Sequence, residues 1–254
     1  MTIDVSLIIP SLNEEKNISK TIRNCLNALD SLNIKGELIC VNDGSTDKTE
    51  SLIKGILNTD KRVQLINHNN PKGFGASFWH GVEVANGNAV TIIPGDNEND
   101  PWETLRYLNL IKEVDIIIPF VHNPYIRSFF RRLLSFLFLS IINNTFRTRL
   151  NYTNGTVIYK LSVLRQLQYK SSGFFFQTDI LIRLIKSGYM FAEVPYRLGM
   201  REESVSKAIS FPSLINVIKG YIKLVIDHYI KKDGKDVIRS STTSKRSKKN
   251  KFYN

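Results

Sequence analysis

The stretch ELICVNDGSTD, residues 37–47, runs from an unbroken apolar strand pattern straight into a polar turn. Leu38, Ile39, Cys40 and Val41 show no alternation between a wet and a dry face, so the strand reads as buried on both sides. Comparable runs occur at VSLIIP (5–10), RVQLIN (62–67), AVTIIP (89–94) and VDIIIPF (114–120). Between them lie amphipathic patterns beginning near Glu14, Asp47, Gly73 and Pro101. Short strands alternating with helices predict an α/β chain whose central, mostly parallel sheet carries helices on both faces. Ligands of such sheets sit beyond the carboxyl ends of the strands. Here those ends open into PSLNEE, NDGSTD, HNNPKG and GDNEND, four polar loops expected along one edge.

Farther along, residues 127–142 read as a helix with basic residues at its start and aromatic and aliphatic bulk after. GTVIYK (155–160) and YMFAEVPYRL (189–198) read as strands flanking the helix QTDILIRLIKSG (177–188), with Gly188 at its C-cap. An amphipathic helix is expected at about 212–230. The 254 residues suffice for one large domain, 1–231, followed by a basic tail, 232–254, with the composition of a disordered segment.

The formal net charge of +12 points to anionic partners: a membrane surface, nucleotide phosphates or nucleic acid. The positive charge concentrates in the tail and no nucleic-acid motif occurs, so nucleic acid is not the expected partner. No run approaches the roughly 18 apolar residues of a membrane span. The longest, FFRRLLSFLFLSII (129–142), is short and begins with charge. The chain enters a strand within a few residues, which leaves no room for a signal peptide. Cys25 and Cys40 are too few for a disulfide framework, and reduced, buried thiols in a cytoplasmic protein are expected.

The loops hold the polar residues of interest. Asp43 follows a buried strand and Asp47 is placed to cap the next helix, although Asp-Gly turns and Asp caps are also ordinary turn chemistry. Asn13 reads as the cap of a helix whose first turn carries Glu14 and Glu15. NNPKGFGASFWHG (69–81) sets Lys72 and two glycines at a helix start, an anion-binding geometry without Walker A spacing. His80 reads as a packed helix histidine rather than a ligand. TIIPGDNENDP (91–101) gathers Asp96, Glu98 and Asp100 at the mouth of a buried strand, and two readings fit: a divalent-cation site, or a turn followed by a helix cap. Asp100 directly before Pro101 suits the cap.

In order, a strand ending in Pro-Ser-x-Asn-Glu, then VNDGSTD, a Lys-Gly-x-Gly helix start and an acidic loop before Pro101 resemble a family 2 glycosyltransferase. The pattern is most similar to that of the dolichyl- or polyprenyl-phosphate mannose and glucose synthases. The Arg131-Arg132 pair, NYTNGTVIY (151–159), and Arg201 followed by Ser206-Lys207 extend the resemblance over roughly residues 4–210. It implies a glycosyltransferase-A fold and inverting, metal-dependent transfer of a hexose from a UDP- or GDP-linked donor. The acceptor would be a polyprenyl phosphate or a lipid-linked or surface glycan, and the enzyme peripheral at the cytoplasmic face of a membrane.

On the same resemblance, Pro10, Leu12, Asn13 and Glu14 line the nucleotide pocket, with Asp43 near the base or ribose and Lys72 and Gly73 in the nucleotide-sugar set. Asp96 and Glu98 hold Mg²⁺ or Mn²⁺ on the diphosphate, since hard cations prefer oxygen ligands and neutralise the departing group. Arg131, Arg201 and Lys207 supply further positive charge. Asp179 stands where the family often has an acid facing the acceptor, a base or equally a helix-start carboxylate. The chain departs from the pattern at Pro94, where relatives often carry an acid, at Asn151 and at Ser204. The helices at 127–142 and 212–230 suit either a bilayer surface or ordinary cover for the sheet. Two rival classes are a nucleic-acid-binding protein acting through the tail and a nucleotidyltransferase. The latter would show a Gly-rich basic loop after the first strand, and PSLNEEKN is not one.

Overall fold

A computed structural model of the chain describes residues 2–199 and 211–231. Its elements are β1 (Ile3–Ser11), α1 (Ile18–Ser31), β2 (Gly36–Asn42), α2 (Thr49–Leu57), β3 (Val63–Asn67), α3 (Phe74–Val84), β4 (Gly87–Ile92) and α4 (Pro101–Leu105). There follow β5 (Ile116–Val121), α5 (Phe129–Phe146), β6 (Ile158–Lys160), α6 (Leu161–Leu164), α7 (Phe176–Lys186), β7 (Phe191–Tyr196) and α8 (Phe211–Ile226). The seven strands form one sheet in the order β3-β2-β1-β4-β6-β5-β7. β1 pairs in parallel with β2 and β4, β2 with β3, and β5 with β7; the three-residue β6 runs antiparallel to β4 and β5.

The apolar runs behave as two-faced strands. In β1, Val5, Leu7 and Ile9 enter one core with α1, α2 and α4, while Ile8 enters the other with α3, α5, α7 and α8. Period-two alternation thus divides a continuous hydrophobic strand between two layers of helix. Helix α3 lies close on β1 because Gly81 has no side chain: a Cβ there would stand 2.6 Å from Cγ2 of Ile8. Cys25 and Cys40 are fully buried free thiols, and burial pushes the Cys40 thiol up to about 12.

Several boundaries differ from expectation. The helix expected from Glu14 begins at Ile18, and Asn13 does not cap it. Asn13 has φ +55° and its side-chain oxygen accepts from the Thr46 N–H, so the chain turns left-handed before a helix can start. The strand expected over 155–160 shortens to Ile158–Lys160, and α5 extends to Phe146, where Arg147 at φ +50° ends it. The last helix stops at Ile226 and continues as a wider turn, Asp227–Lys231. Local signals did place other ends. The Asp100 carboxylate accepts from the Trp102 N–H with Pro101 in the first turn. Gly188 at φ +85° closes α7, with the Gly188 and Tyr189 N–H groups donating to the carbonyls of Ile185 and Leu184. Arg201, Ser204, Ser206, Lys207 and the tail 232–254 lie outside the described residues.

Candidate functional site

The loops after β1 and β2 are laced together. The Asp43 N–H donates to the Ser11 carbonyl at 2.8 Å and the Asn13 N–H to the Ser45 hydroxyl at 2.9 Å. The Glu14 N–H reaches the Thr49 hydroxyl at 2.9 Å, and the Glu15 N–H reaches the Asp47 carboxylate at 3.1 Å. Asp47 also accepts from the Thr49 N–H, although the residue at the cap position of α2 is Lys48, one residue later than expected. Burial alone would raise the Asp47 pKa, but the bonds from Thr49 and Glu15 outweigh this and hold the carboxyl below its ordinary value. Pro10 meets β4 instead, its carbonyl accepting from the Gly95 N–H at 3.0 Å, while Leu12 stays exposed.

The loops after β2 and β3 meet around Asp43, which is buried. One carboxylate oxygen accepts from the Lys72 N–H at 2.8 Å and the other from the Gly73 N–H at 2.9 Å. Two N–H groups of the segment read as an anion site, those of Lys72 and Gly73, are taken up by the Asp43 carboxylate. Within the first turn of α3, the N–H groups of Gly75 and Ala76 donate to the Ser172 carbonyl. A Cβ on Gly75 would stand 2.7 Å from that carbonyl's carbon and oxygen, so the close approach needs glycine.

Asp43 also pairs with His68, whose Nδ1 lies 2.6 Å from Oδ1, and His68 Nε2 lies 2.8 Å from His80 Nδ1. An ionised Asp43 only accepts, so His68 carries a proton on Nδ1, and one proton lies between His68 Nε2 and His80 Nδ1. Burial, with His68 and Lys72 beside it, holds His80 below the ordinary histidine value. His80 is thus packed on its helix as expected, but as one link of an Asp–His–His chain. Nothing in the sequence signalled His68, because its partners lie 25 and 12 residues away.

The loop after β4 is held at both ends. The Thr21 hydroxyl donates to the Gly95 carbonyl at 3.0 Å, and a side chain on Gly95 would collide with the Ser11 hydroxyl. The Asp100 N–H donates to the buried Tyr196 hydroxyl at 2.9 Å, a partner the sequence reading missed. Between these points the Asp96 carboxylate accepts from the Glu98 N–H at 3.0 Å, and Asn97 is left-handed at φ +58°. Asp96 and Glu98 line a cleft of about 1130 Å³ together with Lys16, Lys20 of α1, Arg127 and Arg131. Asp43, Lys72 and Gly73 do not line that cleft. They stand past the end of β1, where the Asp43 N–H bonds the Ser11 carbonyl and the Gly95 N–H bonds the Pro10 carbonyl.

Two carboxylates one residue apart are hard oxygen donors and fit Mg²⁺ or Mn²⁺ completed by phosphate oxygens and water. Among the described residues no group of three or more His, Cys, Asp or Glu side chains is placed to hold a metal unaided. Asp179 stands apart from this edge. It is 2% exposed, and Arg183 Nε lies 3.0 Å from its Oδ2. Burial raises the Asp179 pKa, and the Arg183 pairing opposes that rise. Arg183 also binds Asp227 at 2.7 Å, so Asp179 belongs to a cluster joining α7 to the end of α8.

Several known proteins are similar to the chain. The chain matches a glucosyl-3-phosphoglycerate synthase from Mycobacterium tuberculosis, solved with Mg²⁺ and UDP, at a TM-score of 0.67 and 17% identity, covering 88% of this chain and 79% of that one. It is 28% identical to a polyprenol monophosphomannose synthase of Mycolicibacterium smegmatis, over 79% of each chain. It is 25% identical to a dodecaprenyl-phosphate galacturonate synthase of Rhizobium johnstonii, over 66% of this chain and 51% of the relative. A glycosyltransferase of Synechocystis is 36% identical over 40% of this chain and 32% of its own length. The chain therefore spans half or less of some of its relatives. The sheet order and two-sided helix cover are those of the glycosyltransferase-A fold, and the model for glycosyl transferase family 2 matches residues 6–167, most of the sheet and every loop of the edge described above. With that match the chain belongs to glycosyl transferase family 2.

Proposed function

We propose that the protein moves a hexose from a UDP- or GDP-linked donor to a polyprenyl phosphate, with inversion and with Mg²⁺ or Mn²⁺. The observation that carries this reading is the shared cleft: Arg127 and Arg131 line it together with Asp96 and Glu98. α5, which begins beside this cleft, leaves aromatic and aliphatic side chains of its first turns uncovered, Phe129 at 76% exposure and Phe136 at 65%, before Ile142 and Phe146 enter the core. α8 exposes Ile218 and Ile222, and its Tyr221 hydroxyl meets Thr145 of α5 at 2.8 Å. An acceptor with an anionic head and a hydrocarbon tail matches both features. The names of the M. smegmatis and R. johnstonii relatives point to the same class of acceptor.

Pro10, Leu12, Asn13 and Glu14 form the wall of the nucleotide site, with Asp43 holding the Lys72–Gly73 turn beside it. Asp96 and Glu98 would hold the metal, which when bound neutralises charge on the leaving diphosphate. Arg131 draws the acceptor phosphate into line. An acceptor oxygen forms the new bond to the sugar's anomeric carbon while the bond to the nucleoside diphosphate breaks on the opposite side. A phosphate monoester, with its second pKa near ~6, is largely dianionic at neutral pH and needs no base. Asp179, paired with Arg183, is accordingly assigned to anchoring α8. Titrating the protein with UDP- and GDP-sugars, with and without Mn²⁺, tests the donor reading. Metal-dependent binding of at least one donor, and its turnover with a polyprenyl phosphate, are the expected results; no binding of any donor would sink the proposal.

We further propose that the protein works at a membrane surface. No described helix is long and apolar enough to cross a membrane. The uncovered faces of α5 and α8, with eight Lys or Arg against two Asp in residues 232–254, suit an anionic bilayer surface. The protein is expected to float with vesicles containing phosphatidylglycerol and to lose most of that binding in a Phe129→Glu, Phe136→Glu variant. Equal flotation of variant and parent would refute this placement of the lipid.

A further inference from the structure

We infer that Asn24, on the first helix and remote in sequence from the acidic loop, is a positioning residue for the metal pair. This rests on the metal reading proposed above. Asn24 Nδ2 donates to Oδ1 of Asn97 at 2.9 Å, a bond spanning 73 residues. Asn97 is the residue between Asp96 and Glu98, and its φ of +58° lies in the left-handed region. That conformation costs an ordinary residue roughly 1–2 kcal/mol, and asparagine tolerates it best when its side chain is bonded. Reverting Asn97 to a right-handed or extended conformation would redirect the backbone between the two carboxylates and break the bond from the Glu98 N–H to Asp96.

The ends of the loop are pinned elsewhere, by the Thr21 hydroxyl on the Gly95 carbonyl and by the Tyr196 hydroxyl on the Asp100 N–H. Asn24 pins its middle. Pro94 occupies the place where the resembling family often has a further acid, and Asp100 of the same loop lines the cleft but caps the following helix, which leaves Asp96 and Glu98 as the candidate pair. With fewer ligands, affinity depends more on holding those present at the right separation. Residues behind metal ligands typically contribute about 10–100-fold to affinity.

The test is Mn²⁺ binding followed by electron paramagnetic resonance, with Mn²⁺ alone and with Mn²⁺ plus UDP or GDP. Asn24→Ala should weaken Mn²⁺ binding by about 10-fold or more, with the unfolding midpoint little changed, since alanine is favourable on a helix. Asn97→Gly supplies the left-handed backbone without a bonded side chain. In that background Asn24→Ala should have no further effect, which a structural role for Asn24 in α1 would not produce. If the parent binds Mn²⁺ and Asn24→Ala binds it equally well, the positioning role is wrong while the metal reading stands. If the parent binds no Mn²⁺ under any of these conditions, the metal reading fails and takes this inference with it.

Discussion

Replacing Asp96 with asparagine is expected to lower kcat/KM on the order of 10³-fold while leaving the protein folded. The Asp96 side chain has two duties that this substitution separates. Its Oδ1 accepts from the Glu98 N–H at 3.0 Å, which shapes the turn, and its charge faces the cleft where the metal would sit. Asparagine keeps an acceptor for the turn and removes the charge. Loss of a charge that stabilises a leaving diphosphate falls in the range seen when preorganised electrostatic groups are removed, about 10²–10³-fold for one group. Asp96→Ala removes both duties and should be at least as damaging. The measurement is steady-state kinetics with the donor identified by titration, beside Mn²⁺ binding and thermal unfolding of the same samples. An Asp96→Asn enzyme with parental kcat/KM would remove Asp96 from the metal site.

Arg183→Met should destabilise the protein by about 3–5 kcal/mol, the usual cost of removing one partner from a buried ion pair. Arg183 binds Asp179 through Nε and Asp227 through a terminal nitrogen, and the two acids are 2% and 3% exposed. Lys223 also reaches Asp227, at 3.3 Å, so Asp179 loses more of its compensation. The pH dependence follows from sign. Burial already raises the Asp179 pKa, and without Arg183 only the Lys223 charge still opposes that rise. A carboxyl whose folded pKa lies above its unfolded value, about 3.9, gives its full stability below that value and loses it as pH climbs through the folded pKa. The deficit of the variant should therefore be larger at pH 7.5 than at pH 5. Urea unfolding at both values checks this, and a deficit independent of pH would mean that Asp179 is not left charged without its partner.

The cluster also shows why Asp179 was hard to place from sequence. Its position at a helix start is a local fact and was readable. Its partner Arg183 lies one turn on and was readable in principle, but Asp227 is 44 residues farther from Arg183 and reaches it only through the packing of α8 on α7. The same division runs through the acidic loop. The Asp100 cap with Pro101 depends on adjacent residues and was legible, whereas the Asn24–Asn97 bond depends on where α1 lies against β4.

What the sequence determined by itself were features governed by a few neighbouring residues: continuous apolar strands, the alternation that yields a two-sided α/β sheet, the helix ends at Pro101 and Gly188, and the motif order of family 2. What only the tertiary structure decided was which polar groups satisfy one another. Asp43 took up the N–H groups of Lys72 and Gly73, His68 and His80 joined it, Asn13 turned left-handed to reach Thr46, and α5 kept an uncovered apolar face. The reason is one of range. Backbone propensity and hydrophobic period act over a turn or a strand, whereas a buried carboxylate takes whichever donors the folded chain brings within about 3 Å.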